Sequence, residues 1–151
     1  MAQSLSKIIV HTIFSTKDRT PFLHDLAIRD ELHRYMGGIL SANDCQPIAI
    51  GGVEDHVHLL CTLARTCEPA HLVKEVKRGS SLWLKTKSPS LHDFAWQRGY
   101  GMFSLGFTQI ESARAYIAKQ AEHHREVSFQ DEYRTLLQKY AIPFDERYVW
   151  D

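Results

Sequence analysis

Residues 48–63 read Ile48-Ala49-Ile50-Gly51-Gly52-Val53-Glu54-Asp55-His56-Val57-His58-Leu59-Leu60-Cys61-Thr62-Leu63. Ile48 to Ile50 and Val57 to Leu63 are both strand-like, and only the turn signals Gly51-Gly52 and Glu54-Asp55 separate them. Strands joined this closely form an antiparallel hairpin, because a parallel pair needs a crossover of a dozen residues or more. Upstream, the β-branched run of residues 5–14 predicts a buried strand. Ile28, Leu32, Tyr35, Met36 and Ile39 then recur at helical spacing, predicting a helix over about residues 25–41 that Gly37-Gly38 weakens. Downstream, Pro69 opens a helix whose inner face is Leu72, Val73, Val76, Ser80, Trp83 and Leu84. A fourth strand is expected to cover Phe94 to Leu105. The order β-α-β-β-α-β is that of an α+β, ferredoxin-like antiparallel sheet with helices on one face.

Two C-terminal helices follow. Thr108-Gln109-Ile110-Glu111 has the capping-box pattern, and the helix it starts should run to about His124. Ser128 caps the next, with Tyr133, Leu136, Leu137 and Tyr140 turned inward. A chain of 151 residues fits a single domain, 1–151. With 44% hydrophobic and 24% charged residues it can build a core, which excludes a disordered or fibrous protein. Its apolar runs fall far short of the roughly 20 residues of a membrane helix. Cys45, Cys61 and Cys67 offer neither a paired framework nor a C-x-x-C metal site, so a reducing cytoplasm is the expected compartment. Net charge is zero, yet Lys74, Lys77, Arg78, Lys85 and Lys87 meet only Glu75 in their stretch. That asymmetry fits local nucleic-acid contact better than broad coating of duplex DNA.

The chemistry concentrates on Asp55-His56-Val57-His58-Leu59-Leu60. Residues two apart on a strand share a face, so His56 and His58 present paired imidazoles while Val57, Leu59 and Cys61 point to the core. Such a pair suits a divalent metal; a solvated His beside a locally bonded one is the plainer alternative. On the helix from Thr108, Ile110, Ala113, Ile117 and Ala121 form an apolar stripe flanked by Tyr116 and Gln120, one turn apart. Gln120 offers a neutral oxygen as third ligand and Tyr116 a phenol. The metal would polarise a phosphate, and Tyr116 would attack it to form a covalent phosphotyrosine. A phenol with a pKa of about 10 needs a proton acceptor, which the sequence does not identify. Mixed nitrogen and oxygen donors around phosphate favour Mg²⁺ or Mn²⁺, with zinc also compatible.

Across nearly its whole length the chain resembles the HUH single-tyrosine transposases, bacterial insertion-sequence enzymes that move DNA as single strands. The carriers are Phe14-Ser15-Thr16-Lys17-Asp18-Arg19, Asp55-His56-Val57-His58-Leu59-Leu60, Leu72-Val73-Lys74-Glu75-Val76-Lys77-Arg78 and Tyr116-Ile117-Ala118-Lys119-Gln120. The resemblance implies His56, His58 and Gln120 as metal ligands and Tyr116 as nucleophile. It also implies a homodimer whose tyrosine helix can complete the partner's site. Substrates would be single strands with hairpins near the element ends, cut to a 5′-phosphotyrosine and a free 3′-OH. Glu54 stands where many relatives carry proline, and Tyr140 to Asp151 points toward the repeat-associated branch.

Lys17 and Arg19 after the first strand, and Lys74, Lys77 and Arg78 on one side of their helix, are the candidate DNA contacts, against the alternative of solvated charge. Trp83, Trp96, Tyr100 and Phe103 include candidate stacking surfaces, although core packing is the commoner fate of such residues. His123 and His124 suit the helix C-terminus electrostatically, with metal ligation the lesser reading. His11 on the first strand can face the site, with hydrogen bonding in the core the favoured reading. The leading reading is thus a metal-dependent transposase that cuts and rejoins DNA. The alternative is a domesticated protein that binds or processes repeat hairpins without transposing them. Replication initiators and relaxases share the histidine pair but are usually larger, and a metallo-hydrolase lacks a further Asp-His at the required spacing.

Overall fold

The computed structural model describes residues 2–151. Four strands form one antiparallel sheet in the order β2-β3-β1-β4: β1 Ile9–Ser15, β2 Pro47–Gly52, β3 His56–Thr62 and β4 Gly101–Leu105. Helices α1 (Leu26–Ala42) and α2 (Pro69–Lys85) supply the two crossovers, which completes the ferredoxin-like plan. α3 (Ile110–Ala118), α4 (Gln120–His123) and α5 (Phe129–Lys139) follow. No helix among the described residues is long and apolar enough to cross a membrane.

Period-two alternation decides which residue meets which layer. Val10 and Phe14 of β1, with Val57, Leu59 and Cys61 of β3, enter a core closed by Leu32, Met36 and Leu40 of α1 and Leu72, Val76 and Leu84 of α2. The other face belongs to the C-terminal helices. Ile9 and Leu60 pack under Ile117 of α3, and Ile13 and Phe103 under Phe129, Tyr133 and Leu137 of α5. The result has three layers, with the sheet in the middle.

Local chemistry explains most boundaries. Asp25 caps α1 by accepting from the Ile28 N–H at 3.1 Å, and Ser128 caps α5 by accepting from Asp131 at 3.1 Å. β1 starts at Ile9 rather than residue 5, because its register with β3 ends at the pair Ile9–Thr62. The fourth strand is shorter than expected and begins at Gly101. Before it, the carbonyls of Gln97, Arg98 and Gly99 all accept from the Lys77 ammonium, at 2.8, 3.1 and 2.7 Å, and are turned away from a ladder.

The expected helix from Thr108 also differs. Its start is a short 3₁₀ turn over Phe107–Gln109, in which Gln109 Oε1 accepts from the Gly106 N–H at 2.8 Å; the Thr108–Glu111 box does not form. Near its end the helix breaks at Lys119 (φ −99°, ψ 18°), which separates Tyr116 on α3 from Gln120 on α4. Two glycines permit this packing. A Cβ on Gly52 would lie 2.3 Å from the His56 carbonyl oxygen, so the hairpin corner admits no side chain. A Cβ on Gly51 would lie 2.8 Å from both Ile117 Cγ2 and Ile117 O, so α3 rests directly on the β2 backbone.

Candidate active site

β3 delivers His56 and His58 to the sheet face under α3–α5, and both are fully buried there. The break at Lys119 turns Gln120 inward, where it is buried with its Oε1 3.1 Å from His56 Nε2. Tyr116 is half-buried, with its ring centroid 5.7 Å from that of His58. One chain therefore gathers all four residues singled out for chemistry.

At the centre of the group is Glu132 of α5, only 3% exposed. Its Oε1 lies 3.1 Å from His58 Nε2, 3.0 Å from His124 Nε2 and 3.4 Å from His56 Nε2. Its Oε2 accepts from the Tyr116 hydroxyl and, at 3.2 Å, from Gln120 Nε2; His123 Nε2 is 3.3 Å away. An outer ring orients the imidazoles: Asp55 Oδ1 is 2.7 Å from His56 Nδ1, His11 Nε2 is 2.7 Å from His58 Nδ1, and the Val127 carbonyl is 2.5 Å from His124 Nδ1. Ligand atoms from His56, His58, His124 and Glu132 lie within 4.8 Å of one another, so this cluster can hold a metal ion.

Burial and charge pull these groups apart electrostatically. Burial alone would lower His56, but the hydrogen bonds with Asp55 and Glu132 outweigh it and push its pKa up to about 9. His58, without such a second carboxylate, is lowered by burial to about 4. Burial also lowers His11 to about 3, helped by neighbouring His58. Burial would raise Glu132, yet the hydrogen bonds with His124, His56 and His58 hold its carboxyl far below the usual range. Tyr116 moves above the ordinary phenol value, through burial and then its bond to Glu132. A cavity of about 470 Å³ between α3 and α5 reaches the Tyr116 hydroxyl and the Glu132 carboxylate, with Lys139 at its wall.

The basic candidates divide. Lys17 lines a groove of about 460 Å³ with Arg98, Trp96 and Trp150. Arg19 sits beside it with φ 57° and a buried Nη1 that has no hydrogen-bond partner among the described residues. Lys74 and Arg78 are exposed on α2, and Arg78 and Lys85 line a neighbouring groove that also includes Arg98. Lys77 does not belong with them as a DNA contact: its three ammonium protons are matched by the three carbonyls of residues 97–99. Among the aromatics, Trp96 is buried and donates to Ser80 Oγ at 3.0 Å, Phe103 is in the core, and Trp83 stacks on Tyr35.

Sequence reasoning missed Glu132. A signal was present: Phe129, Glu132, Tyr133, Leu136 and Leu137 follow the i, i+3, i+4, i+7, i+8 spacing, so the carboxylate occupies a core position of an amphipathic helix. It also gave His124 to the helix dipole, whereas both ring nitrogens have specific partners. Arg98 carried no signal, since only the fold brings it between Lys17 and Arg78.

A buried histidine pair on a central strand of the antiparallel sheet thus faces a tyrosine-bearing helix. The chain belongs to the IS200-like transposase family, whose model matches residues 4–120, and membership implies cleavage and joining of DNA. Two solved structures share the fold. One is a Deinococcus radiodurans R1 protein assigned as a transposase, 23% identical over 80% of this chain and 95% of its own, with a TM-score of 0.62. The other is a REP-associated tyrosine transposase bound to a REP hairpin, 14% identical over 84% of this chain and 76% of its own, with a TM-score of 0.60. No curated protein sequence matches.

Proposed function

We propose that this transposase cuts and rejoins single-stranded DNA at hairpin-bearing ends through a covalent bond to Tyr116. The observation that carries the reading is the convergence, in one chain, of the Tyr116 phenol with His56, His58 and Gln120. His56, His58 and Gln120 would hold a divalent ion, Mg²⁺ or Mn²⁺, which would supply Lewis-acid polarisation of the scissile phosphate.

Every other part is supplied by the chain itself. The cavity between α3 and α5 admits the strand to the Tyr116 hydroxyl. Tyr116 Oη bonds to phosphorus as the P–O3′ bond breaks; the phenol proton leaves by way of the Glu132 carboxylate it already touches, and the 3′ oxygen takes up a proton. The product keeps a 5′-phosphotyrosine and a free 3′-OH, and the reverse reaction joins a new strand. Asp55 and His11 hold the two ligand imidazoles in register. Lys17, Arg98 and Arg78 contact phosphates of the hairpin stem along the two adjoining grooves, with Arg19 beside Trp150 and Lys74 one turn before Arg78 adding charge.

Because the groups meet within one protomer, a homodimer would not need to exchange tyrosine helices to form a site. Light scattering at increasing concentration measures whether the chain pairs. The chemical reading is tested by incubating protein and Mn²⁺ with a hairpin oligonucleotide and resolving covalent adducts on a denaturing gel. Wild type should form the adduct and Tyr116→Phe should not, with hairpin affinity retained. An adduct that persists in the Phe variant removes Tyr116 as nucleophile. The domesticated-binder alternative is favoured instead if the wild type binds hairpins tightly and never forms an adduct.

A further inference from the structure

We infer that His124 and Glu132 are metal ligands alongside His56 and His58, so that this site takes a first-row transition ion, Mn²⁺ or Zn²⁺, far in preference to Mg²⁺. The inference deepens the proposed function by changing the donor set and hence the metal.

It starts from lone pairs. Asp55 Oδ1, an acceptor only, lies 2.7 Å from His56 Nδ1, so that nitrogen carries a hydrogen. The Val127 carbonyl fixes a hydrogen on His124 Nδ1 in the same way, at 2.5 Å. When neutral, His56 and His124 would therefore aim bare Nε2 lone pairs at Glu132 Oε1, 3.4 and 3.0 Å away, and His56 Nε2 would also face Gln120 Oε1 at 3.1 Å. An ionised carboxylate and an amide oxygen only accept as well. Acceptors facing acceptors in a buried space are unfavourable unless something positive lies between them. Either additional protons or a cation can fill that role.

The donor set and its outer contacts point to the cation, while the distances around Glu132 Oε1 suit a metal shell and a hydrogen bond alike. Metal–nitrogen and metal–oxygen bonds of about 2.0–2.2 Å put neighbouring donors about 3.0–3.5 Å apart. The three imidazole nitrogens stand 3.0, 3.1 and 3.4 Å from Glu132 Oε1. The partners on the far side of each ring, Asp55, Val127 O and His11, are the type of outer contact that orients histidine ligands. Three nitrogens with one carboxylate suit zinc and its neighbours, whereas Mg²⁺ prefers an oxygen shell that retains several waters. Glu132 then does two things at once. Its Oε1 belongs to the cation while Oε2 holds the Tyr116 hydroxyl, so one carboxylate sets the distance from nucleophile to metal.

The test uses full-length protein stripped with a chelator and titrated with Mn²⁺, with free Mn²⁺ read by its solution electron-spin-resonance signal. Wild type should remove one Mn²⁺ per chain, and a hundredfold excess of Mg²⁺ should leave most of it bound. His124→Asn and Glu132→Gln should each weaken Mn²⁺ binding by at least about 10-fold, and Glu132→Asp should recover part of the loss. Circular dichroism and metal-free melting confirm that each variant is folded. Should Glu132→Gln fail to fold, His124→Asn, on a residue nearer the surface, decides alone. Wild-type affinity in folded His124→Asn and Glu132→Gln overturns the inference, as does a wild type that binds no Mn²⁺ at millimolar concentration. Failure of the proposed function looks different: the metal binds as described, but no hairpin yields an adduct.

Discussion

The two faces of the sheet are built to opposite rules. Under α1 and α2, the core is a continuous set of apolar side chains; Thr12 and Ser80, both small hydroxyls, are buried among them, and half-buried His33 lies at its margin. Under α3–α5, His11, His56, His58, Gln120 and Glu132 are all buried together, with two modest apolar clusters on either side. The same strands serve both. In β3, Val57, Leu59 and Cys61 feed the first face while His56 and His58 feed the second. The first face supplies the folding free energy that lets the second retain groups whose burial is unfavourable.

The sharpest way to break that comparison is to damage the stabilising face and watch the other. Met36 of α1 is fully buried in this core. Met36→Ala should cost about 2–5 kcal/mol, measured by urea unfolding. Metal should still stabilise the variant as it does wild type, by about 2.7 kcal/mol at a concentration 100 times the dissociation constant, because the two sites share no partners. If the variant is folded yet gains nothing from metal, the faces are coupled and the division is wrong.

A smaller effect is expected where the second face leans on the sheet. Gly51→Ala would bring a methyl group within 2.8 Å of Ile117 Cγ2 and its carbonyl oxygen, one residue from Tyr116. Overpacking of this kind costs about 1–3 kcal/mol. Here it should lift α3, so the rate of adduct formation should fall by more than hairpin affinity does. Equal losses in both would mean that α3 does not set the position of Tyr116.

These contrasts also account for what the sequence revealed. The ferredoxin-like order was legible because the hairpin at 48–63 and the periodic helices are local signals. His56 and His58 were legible because alternation on one strand places them together. The far side of the site was not. Spacing marks Glu132 as a core position of its helix, but the break at Lys119 and the turn into α5, which bring it and His124 to the cluster, follow from no spacing rule. Lys77 shows the converse. Its charge suggested DNA, but burial beside Phe14 and Tyr100 and three carbonyl acceptors make it a brace for residues 97–99.

The smallest prediction asks whether the stabilising face is free of titration. His33 on α1 is an exception to its apolar character: its Nε2 is buried without a hydrogen-bond partner among the described residues. Burial, and then the charge of Arg29, lower its pKa from 6.5 to about 4. Between those values the unfolded chain binds the proton and the folded chain does not. Stability from this residue is therefore intact above pH 6.5, falls as the pH drops toward 4, and is fully lost below it. After allowance for partial exposure the loss amounts to about 1–2 kcal/mol. His33→Phe keeps the ring but cannot bind a proton, so urea unfolding at pH 7.5 and at pH 4.5 should show a smaller acid loss than in wild type. The histidines of the other face are common to both proteins and cancel in that difference. If wild type and variant lose the same stability, the acid sensitivity of the molecule does not lie at His33, and the contrast between the faces is stronger than His33 implies.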